Sequence, residues 1–387
     1  MFAYGIFKVI YAPHKAFKEI SQNPKYIGPI LVMALFVAAN TFFIYTLTSK
    51  VYVEQTLPKA EELDKWTENS ALWIPAAGVK AKNNYDDYIN GTYYGNKSIE
   101  FSIDNSQQIA MWINDIGPIN CSGPEGYKNL YLRIKWTSPD DKPENVTIYL
   151  FSATPSSYFY YDLTEKFSNS NVNVWNNLTI PIGSETWLNN SAAANWESVT
   201  GLKLEFTWPK SSNITLLADG LFFGGVFKPS VEDVVSYMLN FSVYSFMQFF
   251  VKWVFLGGLF YVMIKVFGVK TVWRPLLILA GFALITMFVQ ALINAAAFST
   301  LPTLYYPFEL IGGVKGETEI AYNNILEKTW LVSQISGYIQ VGVYVWTIAL
   351  GAIAIRSLTE FTWTKSFLVA ALAYFVSMMV ENLILGY

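Results

Sequence analysis

The chain combines two kinds of hydrophobic pattern. Five apolar runs, at residues 27–48, 243–264, 275–298, 331–354 and 366–385, are long enough to cross a bilayer as helices, since about 20 residues span its hydrocarbon core. Between the first and second runs, apolar and polar residues instead alternate with a period of two, which is typical of strands that bury one face. The pattern predicts a multidomain membrane protein, with a five-helix transmembrane bundle and an all-β domain over residues 58–228.

The alternation is clearest in three segments of the β domain. Ile99, Phe101 and Ile103 alternate with polar residues, and residues 130–136 and 202–208 repeat the pattern. Weaker β patterns occur at 107–113, 146–151, 158–163, 174–181 and 214–223. Together they predict about eight strands separated by turns rich in Pro, Asn and Ser. Strands of this length and spacing indicate a β-sandwich of the jelly-roll type.

Two flanking segments carry helical patterns. Residues 1–26 contain Pro13, Phe17 and Ile20, which predict a short amphipathic helix on the cytoplasmic membrane surface. Residues 229–242 carry valines and a methionine at helical spacing. We expect this second segment either to lie along the outer membrane surface or to extend the second transmembrane helix outward.

Charge predicts the orientation in the membrane. Segments 1–26, 265–274 and 355–365 are basic, whereas 50–229 and 299–330 contain more acidic than basic residues. Because basic loops stay in the cytoplasm, we expect a cytoplasmic N-terminus. Residues 50–229 and the C-terminus are then extracellular, in a protein integral to the cell membrane.

N-glycosylation sequons occur only in segments that we expect to face outward. They begin at Asn90, Asn96, Asn120, Asn145, Asn177, Asn189, Asn213 and Asn240. Their clustering is typical of a cell-surface glycoprotein, although a segment rich in Asn, Ser and Thr also produces sequons by chance. The sequon at Asn240 is expected to lie too close to the bilayer for ready use.

Composition restricts the chemistry. The chain is 53% hydrophobic and has one cysteine, Cys121, and one histidine, His14. A single cysteine excludes an intramolecular disulfide and a multi-cysteine metal site, and a single histidine removes most familiar catalytic arrangements. No carboxylate pair is marked out by surroundings that would separate its pKa values. We therefore expect no catalytic residues and a non-enzymatic protein, with no nucleic-acid partner.

The end of the β domain resembles a known group of folds. "NWESVTGLKLEFTWP" (195–209) and "ITLLADGLFFGG" (214–225) are similar to the closing strands of carbohydrate-binding-module and galactose-binding-like jelly rolls. In many such domains an Asp near the last strand helps to hold a structural calcium ion, which the resemblance implies for Asp219. From the residues alone, Asp219 could also accept hydrogen bonds from turn amides or contact a sugar.

A glycan site would require exposed aromatic rings on which sugars can stack. Candidate contacts are Tyr158 and Tyr160 in an aromatic run, and Tyr93 and Tyr94 in a loop-like segment. Strand alternation would place half of the run in the core, so ordinary packing is the alternative explanation.

The apolar part resembles the Yip domain family of five-span proteins with a cytoplasmic N-terminus. "APHKAFKEISQNPKYIGPILVMAL" (12–35) and "WRPLLILAGFALITMFVQALIN" (273–294) carry the resemblance, which extends over about 1–48 and 240–387. The β domain replaces the short loop usual in that family. A Yip-like core with an Asn-rich outer domain and no disulfide would suit an archaeal cell surface.

Polar residues within the apolar runs are candidates for function. They are Lys252, Gln290, Asn294, Gln334, Gln340 and Glu381. Gln290 and Asn294 are four apart and share one helix face, where they either hydrogen-bond between helices or line a polar pathway. Lys252 and Glu381 lie at similar expected depths. We expect them to pair or to share a polar network, unless each side chain snorkels separately to the interface.

Two classes of function remain. In the first, the helices display a jelly roll that binds a glycan or a surface or membrane protein. In the second, the helices organise lipid or membrane partners, as a homo-oligomer or larger complex, or pass a small solute, and the outer domain is a cover. Exposed coplanar aromatic rings would favour the first class. A continuous polar cavity lined by Gln290, Asn294 and Gln340 would favour the second.

Overall fold

The computed structural model describes residues 2–183, 186–190 and 194–386 of the chain. The chain forms two compact units. The first contains Met1–Val51, Pro229–Leu304 and Leu326–Tyr387, and we call it the helical unit. The second contains Tyr52–Lys228 and Tyr305–Ile325, and we call it the β unit.

The helices are α1 (Phe2–Tyr11), α2 (Pro13–Gln22), α3 (Ile27–Thr48), α4 (Thr164–Ser168), α5 (Val234–Val266), α6 (Trp273–Ala283), α7 (Ile285–Ser299), α8 (Phe308–Ile311), α9 (Glu317–Leu358) and α10 (Trp363–Leu385). Within the described residues, five segments are long and apolar enough to span a membrane: α3, α5, α6 with α7, α9 and α10. The predicted number of spans is confirmed, and the chain is an integral membrane protein.

Helix ends differ from the predicted ones where the apolar pattern gives no stop signal. Helix α5 begins at Val234 and is capped by Asp233, whose carboxylate accepts a hydrogen bond from the Ser236 amide at 3.0 Å. Most of segment 229–242 therefore extends the second span, which was one of the two expected arrangements. The third span is broken at Leu284, between α6 and α7.

The predicted N-terminal amphipathic helix is present as α2, with Pro13 at its first position. Its apolar face is covered by protein, because Phe17 is fully buried in the core of the helical unit. Helix α3 approaches α6 closely at Gly28, where a Cβ atom would lie 2.0 Å from the ring of Phe282. Any larger residue at position 28 would force the ring of Phe282 to shift.

The strands are β1 (Val51–Leu57), β2 (Ile74–Pro75), β3 (Lys80–Asn84), β4 (Ser98–Ile113), β5 (Asn129–Ser138), β6 (Asn145–Ser152), β7 (Thr154–Asp162), β8 (Asn176–Pro181), β9 (Leu188–Asn189), β10 (Val199–Pro229) and β11 (Leu304–Tyr306). All the predicted strand segments are found. Segments 202–208 and 214–223 belong to the single long strand β10, which has register shifts between them.

Strands β4 and β10 are shared by both layers of an antiparallel sandwich. In the first layer, the 109–113 portion of β4 pairs with β2 and the 199–207 portion of β10 pairs with β6, and β7 and β9 follow β6 in turn. In the second, the 98–103 portion of β4 pairs with β3 and the 214–224 portion of β10 pairs with β5, beside which β8 lies. The inward-facing residues of both layers form one hydrophobic core, as the alternation predicts.

Residues 305–325 pack on the outer face of the second layer, an arrangement that the sequence did not predict. Phe308 contacts Tyr131 and Phe222, with ring centroids 5.0 and 4.7 Å apart. The Phe308 amide donates to the buried carboxylate of Glu54 at 2.7 Å. We call residues 305–325 the covering segment.

An ion pair also holds the covering segment. Arg133, on β5, donates from Nη1 and Nη2 to the two carboxylate oxygens of Glu317, at 2.8 and 2.6 Å. Its Nε donates to the hydroxyl of Tyr94 at 3.1 Å. The side chain of Arg133 is only 7% exposed, so these partners offset the cost of burying its charge.

Candidate functional site

A polar cavity of about 410 Å³ lies within the helical unit, and its volume is in the range of small-molecule sites. Helices α3, α5, α7, α9 and α10 supply its walls. The polar lining residues are Asn40, Gln248, Lys252, Gln290, Asn294, Gln340, Tyr344, Tyr374, Glu381 and Asn382. Most of the intramembrane polar residues singled out from the sequence therefore meet at one site.

Lys252 and Glu381 form an ion pair at this cavity. Nζ of Lys252 lies 2.8 Å from Oε2 of Glu381, and the two side chains are only 9% and 3% exposed. The ammonium also lies 5.7 Å from the ring centroid of Tyr374, within the range of a cation–π contact. The expected pairing is confirmed, and separate snorkelling of the two side chains is not what the structure shows.

Other lining side chains use part of their hydrogen-bonding capacity between or along helices. Asn294 accepts from Ser336 at 3.2 Å, and Gln340 donates to Tyr344 at 2.5 Å. Among the described residues, the side-chain amides of Gln248, Gln290 and Asn382 have no hydrogen-bond partner. These three amides line the cavity with donors and acceptors available to a bound molecule.

Gln334 does not belong to the cavity, although the sequence grouped it with Gln340. It is exposed on α9. Six positions separate the two residues, which turns them about 120° apart around a helix. Conversely, Gln248 lines the cavity and was missed, although its spacing of four residues from Lys252 places both on one face of α5.

Asp219 is buried in the β unit opposite a second acid, Asp64. Its Oδ1 and Oδ2 accept hydrogen bonds from the amides of Gly220 and Ile89, both at 2.7 Å. Asp64 in turn accepts from the Gly95 amide at 2.8 Å. The proximity of this second carboxyl group disfavours ionisation of Asp219, and Asp219 stabilises the surrounding turns through its bonds to the two amides.

A calcium role for Asp219 stays a prediction. Calcium takes six to eight oxygen ligands, and Asp64 and Asp219 would supply some of them. Within the described ranges, no three His, Cys, Asp or Glu side chains lie together as a metal-binding group. Backbone carbonyls or amide oxygens would have to complete the coordination.

The acid pair predicts an unusual pH dependence. Burial, and then the hydrogen bond and charge of Asp64, raise the pKa of Asp219 well above its ordinary value. The folded state therefore holds this proton more tightly than the unfolded chain. The resulting stability is complete below the unfolded pKa of about 4 and is lost as the pH rises through the folded pKa. Compared with wild type, Asp219→Asn should gain stability over that window, by at most about 1.4 kcal/mol per pH unit.

Urea unfolding of the full-length protein in detergent, read by proteolysis within the β unit at several pH values, measures this slope. Asp140→Asn is the matched control because Asp140 is exposed, and it should leave the slope unchanged. A parallel slope for Asp219→Asn and wild type would contradict the raised pKa of Asp219. Calcium added to the same samples tests the metal role, because a bound cation would stabilise the ionised pair at high pH.

The predicted glycan contacts separate into two groups. Tyr158 and Tyr160 are half-buried beside Tyr149, with ring centroids 5.4 to 6.4 Å apart and interplanar angles of 79°, 33° and 65°. The rings are tilted and do not form one flat platform. The expectation for Tyr94 is wrong, because Tyr94 is 5% exposed and packs with Phe308. Tyr93 also contacts Phe308 and is partly buried.

The sequon asparagines of the β unit lie on its surface. Asn90, Asn96, Asn120, Asn145, Asn177, Asn189 and Asn213 are all exposed. Asn177 differs from the others because its amide donates to Glu317 at 3.2 Å. Accessibility thus permits modification, and the use of each sequon stays a prediction.

Solved structures similar to this chain include carbohydrate-binding modules and a glycanase. A family 11 module from Clostridium thermocellum, in complex with a beta-1,3-1,4-mixed-linked tetrasaccharide, is 13% identical with a TM-score of 0.29, covering 45% of this chain and 95% of its own. A C-terminal family 22 module from the same organism is 12% identical, with a TM-score of 0.21 and coverage of 42% and 91%. A beta-1,2-glucanase from Parabacteroides distasonis is 16% identical, with a TM-score of 0.27 and coverage of 41% and 24%.

Sequence comparisons bear on the other part of the chain. No curated protein matches it. The Yip1 domain model matches residues 206–380, which contain most of β10, all of α5 to α9 and most of α10. The N-terminal segment 12–35 lies outside this match. The resemblance to the Yip domain family is thereby confirmed over residues 206–380, in a chain that also carries an antiparallel β-sandwich.

Proposed function

We propose that the helical unit is the active part of the protein and that it binds a small polar molecule, or the polar headgroup of a lipid, in the cavity beside Lys252 and Glu381. The cavity carries this proposal. Gln290, Asn294 and Gln340 line it together, which is the feature that distinguishes an active helix bundle from a passive anchor. The role is binding or passage without catalysis, with the N-terminus in the cytoplasm.

The polarity of the cavity supports a ligand. Burying a polar side chain without a hydrogen-bond partner costs free energy, and apolar residues at the same positions would avoid that cost. Gln248 and Gln290 are half-buried, so their unpartnered amides carry part of this cost, whereas Asn382 is exposed. A bound polar molecule would supply their hydrogen bonds.

The tyrosine group of the first layer supports a second candidate, glycan binding by the β unit. Lys203 lies 4.8 Å from the ring centroid of Tyr149 and pairs with Glu205, so charged groups adjoin the aromatic rings. Sugar recognition uses such combinations of ring faces and polar side chains. The tilt between the rings makes this candidate the weaker of the two.

Gln290→Leu should abolish a hydrogen bond to the ligand while preserving side-chain size, and should weaken binding about fivefold to tenfold. Gln334→Leu is a matched control, since the same substitution falls on an exposed residue of α9. The full-length protein in nanodiscs is screened by thermal shift and native mass spectrometry against polar metabolites, lipids and oligosaccharides.

The location of the stabilised peptides decides between the candidates. If adding a ligand slows hydrogen exchange in the helical unit, the result supports the cavity as the binding site. An oligosaccharide that protects only β6, β7 and β10 would favour the tyrosine group instead. Equal binding by Gln290→Leu and wild type would count against the cavity as the site.

A further inference from the structure

We infer that the ligand of the cavity is zwitterionic, with a cationic amine and an acidic phosphate or carboxylate in one molecule, either as a lipid headgroup or as a free solute. This inference rests on the proposed binding role of the cavity and specifies its ligand. The amine would contact Glu381, and the acid group would contact Lys252.

The net charge of the lining supports this ligand class. Among the lining side chains, Lys252 is the basic residue and Glu381 the acidic one, and their charges cancel. A cation or anion entering alone would add an uncompensated charge to a poorly hydrated site, which is costly. A ligand with one charge of each sign keeps the site neutral and attracts both side chains.

The pair does not use all of its hydrogen-bonding capacity. Although Nζ of Lys252 lies 2.8 Å from Oε2 of Glu381, that oxygen accepts no hydrogen bond of good geometry within the described residues. The contact is therefore an attraction between charges without a well-aligned hydrogen bond. An ammonium also has three donors, and one carboxylate contact does not use them all.

A neutral amide side chain lies close in sequence to each of the two charged residues and lines the same cavity. Gln248 lies four residues before Lys252 on α5, and Asn382 directly follows Glu381 on α10; both line the cavity. Their amide groups can donate to a phosphate or carboxylate and accept from an ammonium. A purely neutral ligand would use these amides but would leave the charges of Lys252 and Glu381 unsolvated.

The inference is tested with four small probes added to the full-length protein in nanodiscs. The measurements are made at about pH 5, below the second pKa of a phosphate monoester, where phosphoethanolamine carries one charge of each sign. Ethanolamine then carries only the positive charge, glycerol phosphate only one negative charge, and glycerol neither. Nanodiscs with and without phosphatidylethanolamine, in a phosphatidylglycerol background, separate the lipid source from the free solute. The readouts are the melting temperature and hydrogen exchange around residues 248–252 and 378–382.

Phosphoethanolamine, or phosphatidylethanolamine in the nanodisc, should stabilise the helical unit with an apparent affinity at least about tenfold above the other three probes. Glu381→Gln should reverse the order in favour of glycerol phosphate, because Lys252 would then give the site a positive charge. The wild-type ranking is decisive by itself if this variant fails to fold.

Two negative outcomes have different meanings. The first outcome is that wild type binds glycerol, ethanolamine or glycerol phosphate as tightly as it binds the zwitterion. That result would overturn this inference and leave the proposed binding role intact. The second outcome is that no probe, neither lipid composition and no polar compound of the wider screen changes the melting temperature or the hydrogen exchange. That result would overturn both this inference and the proposed binding role.

Discussion

Replacing Lys252 alone with methionine should destabilise the helical unit by about 3 to 5 kcal/mol, the range for breaking a buried ion pair on one side. The Glu381 carboxylate is 3% exposed and would lose its counter-charge. It would then have to remain ionised without a partner or take up a proton, and either state costs free energy that the pair avoids. Unfolding of the full-length protein in mixed detergent micelles, followed by far-UV circular dichroism at neutral pH, measures this loss.

The double variant Lys252→Met with Glu381→Leu should recover most of that stability. Replacing both members of a buried pair by apolar residues of similar volume is often neutral or stabilising. Lys265→Met serves as the control, because Lys265 lies exposed on the same helix. A Lys252→Met protein as stable as wild type would show that the pair makes no energetic contribution. A stable double variant that no longer binds phosphoethanolamine would separate the folding role of the pair from its binding role.

The features predictable from the sequence are those encoded by local periodicity. Alternation identified strands such as β5 and β6 because alternate residues of each strand face a common core. Helical spacing placed Gln290 and Asn294 together because residues four apart share a helix face. The pairing of Lys252 with Glu381 was predictable because the two residues have similar expected depths in the bilayer. In each case the signal depends on regular geometry along one element or across one bilayer.

The features that were missed depend on contacts between residues far apart in the chain. Nothing near Asp219 identifies Asp64 as its partner, because that pairing is created by the sandwich fold. Tyr94 lies in a segment with loop-like composition, and such composition does not reveal that Phe308 covers its ring. Phe308 itself lies in a segment that the charge pattern assigned to a loop. Long-range packing, and not local propensity, decides these positions.

The covering segment gives the second large prediction, because its ion pair is buried on the Arg133 side. Glu317→Gln would keep a hydrogen-bonding side chain but remove the charge that offsets Arg133, whose side chain is 7% exposed. Charge-assisted bidentate hydrogen bonds are stronger than neutral ones, and an unpaired buried charge adds a further cost. We expect the attachment of residues 305–325 to weaken by about 2 to 3 kcal/mol, less than a fully buried pair because the Glu317 side chain is 26% exposed.

Hydrogen exchange measures this attachment directly. In Glu317→Gln, amides of residues 308–316 should exchange about 30-fold to 150-fold faster, the factor that corresponds to such a loss of free energy. Strands β6 and β7 belong to the other layer and should keep wild-type rates. Glu327→Gln is the matched control, since Glu327 is exposed on the same helix. Unchanged exchange in Glu317→Gln would mean that Phe308 and its bond to Glu54 hold the segment without the ion pair, because those contacts remain intact in the variant.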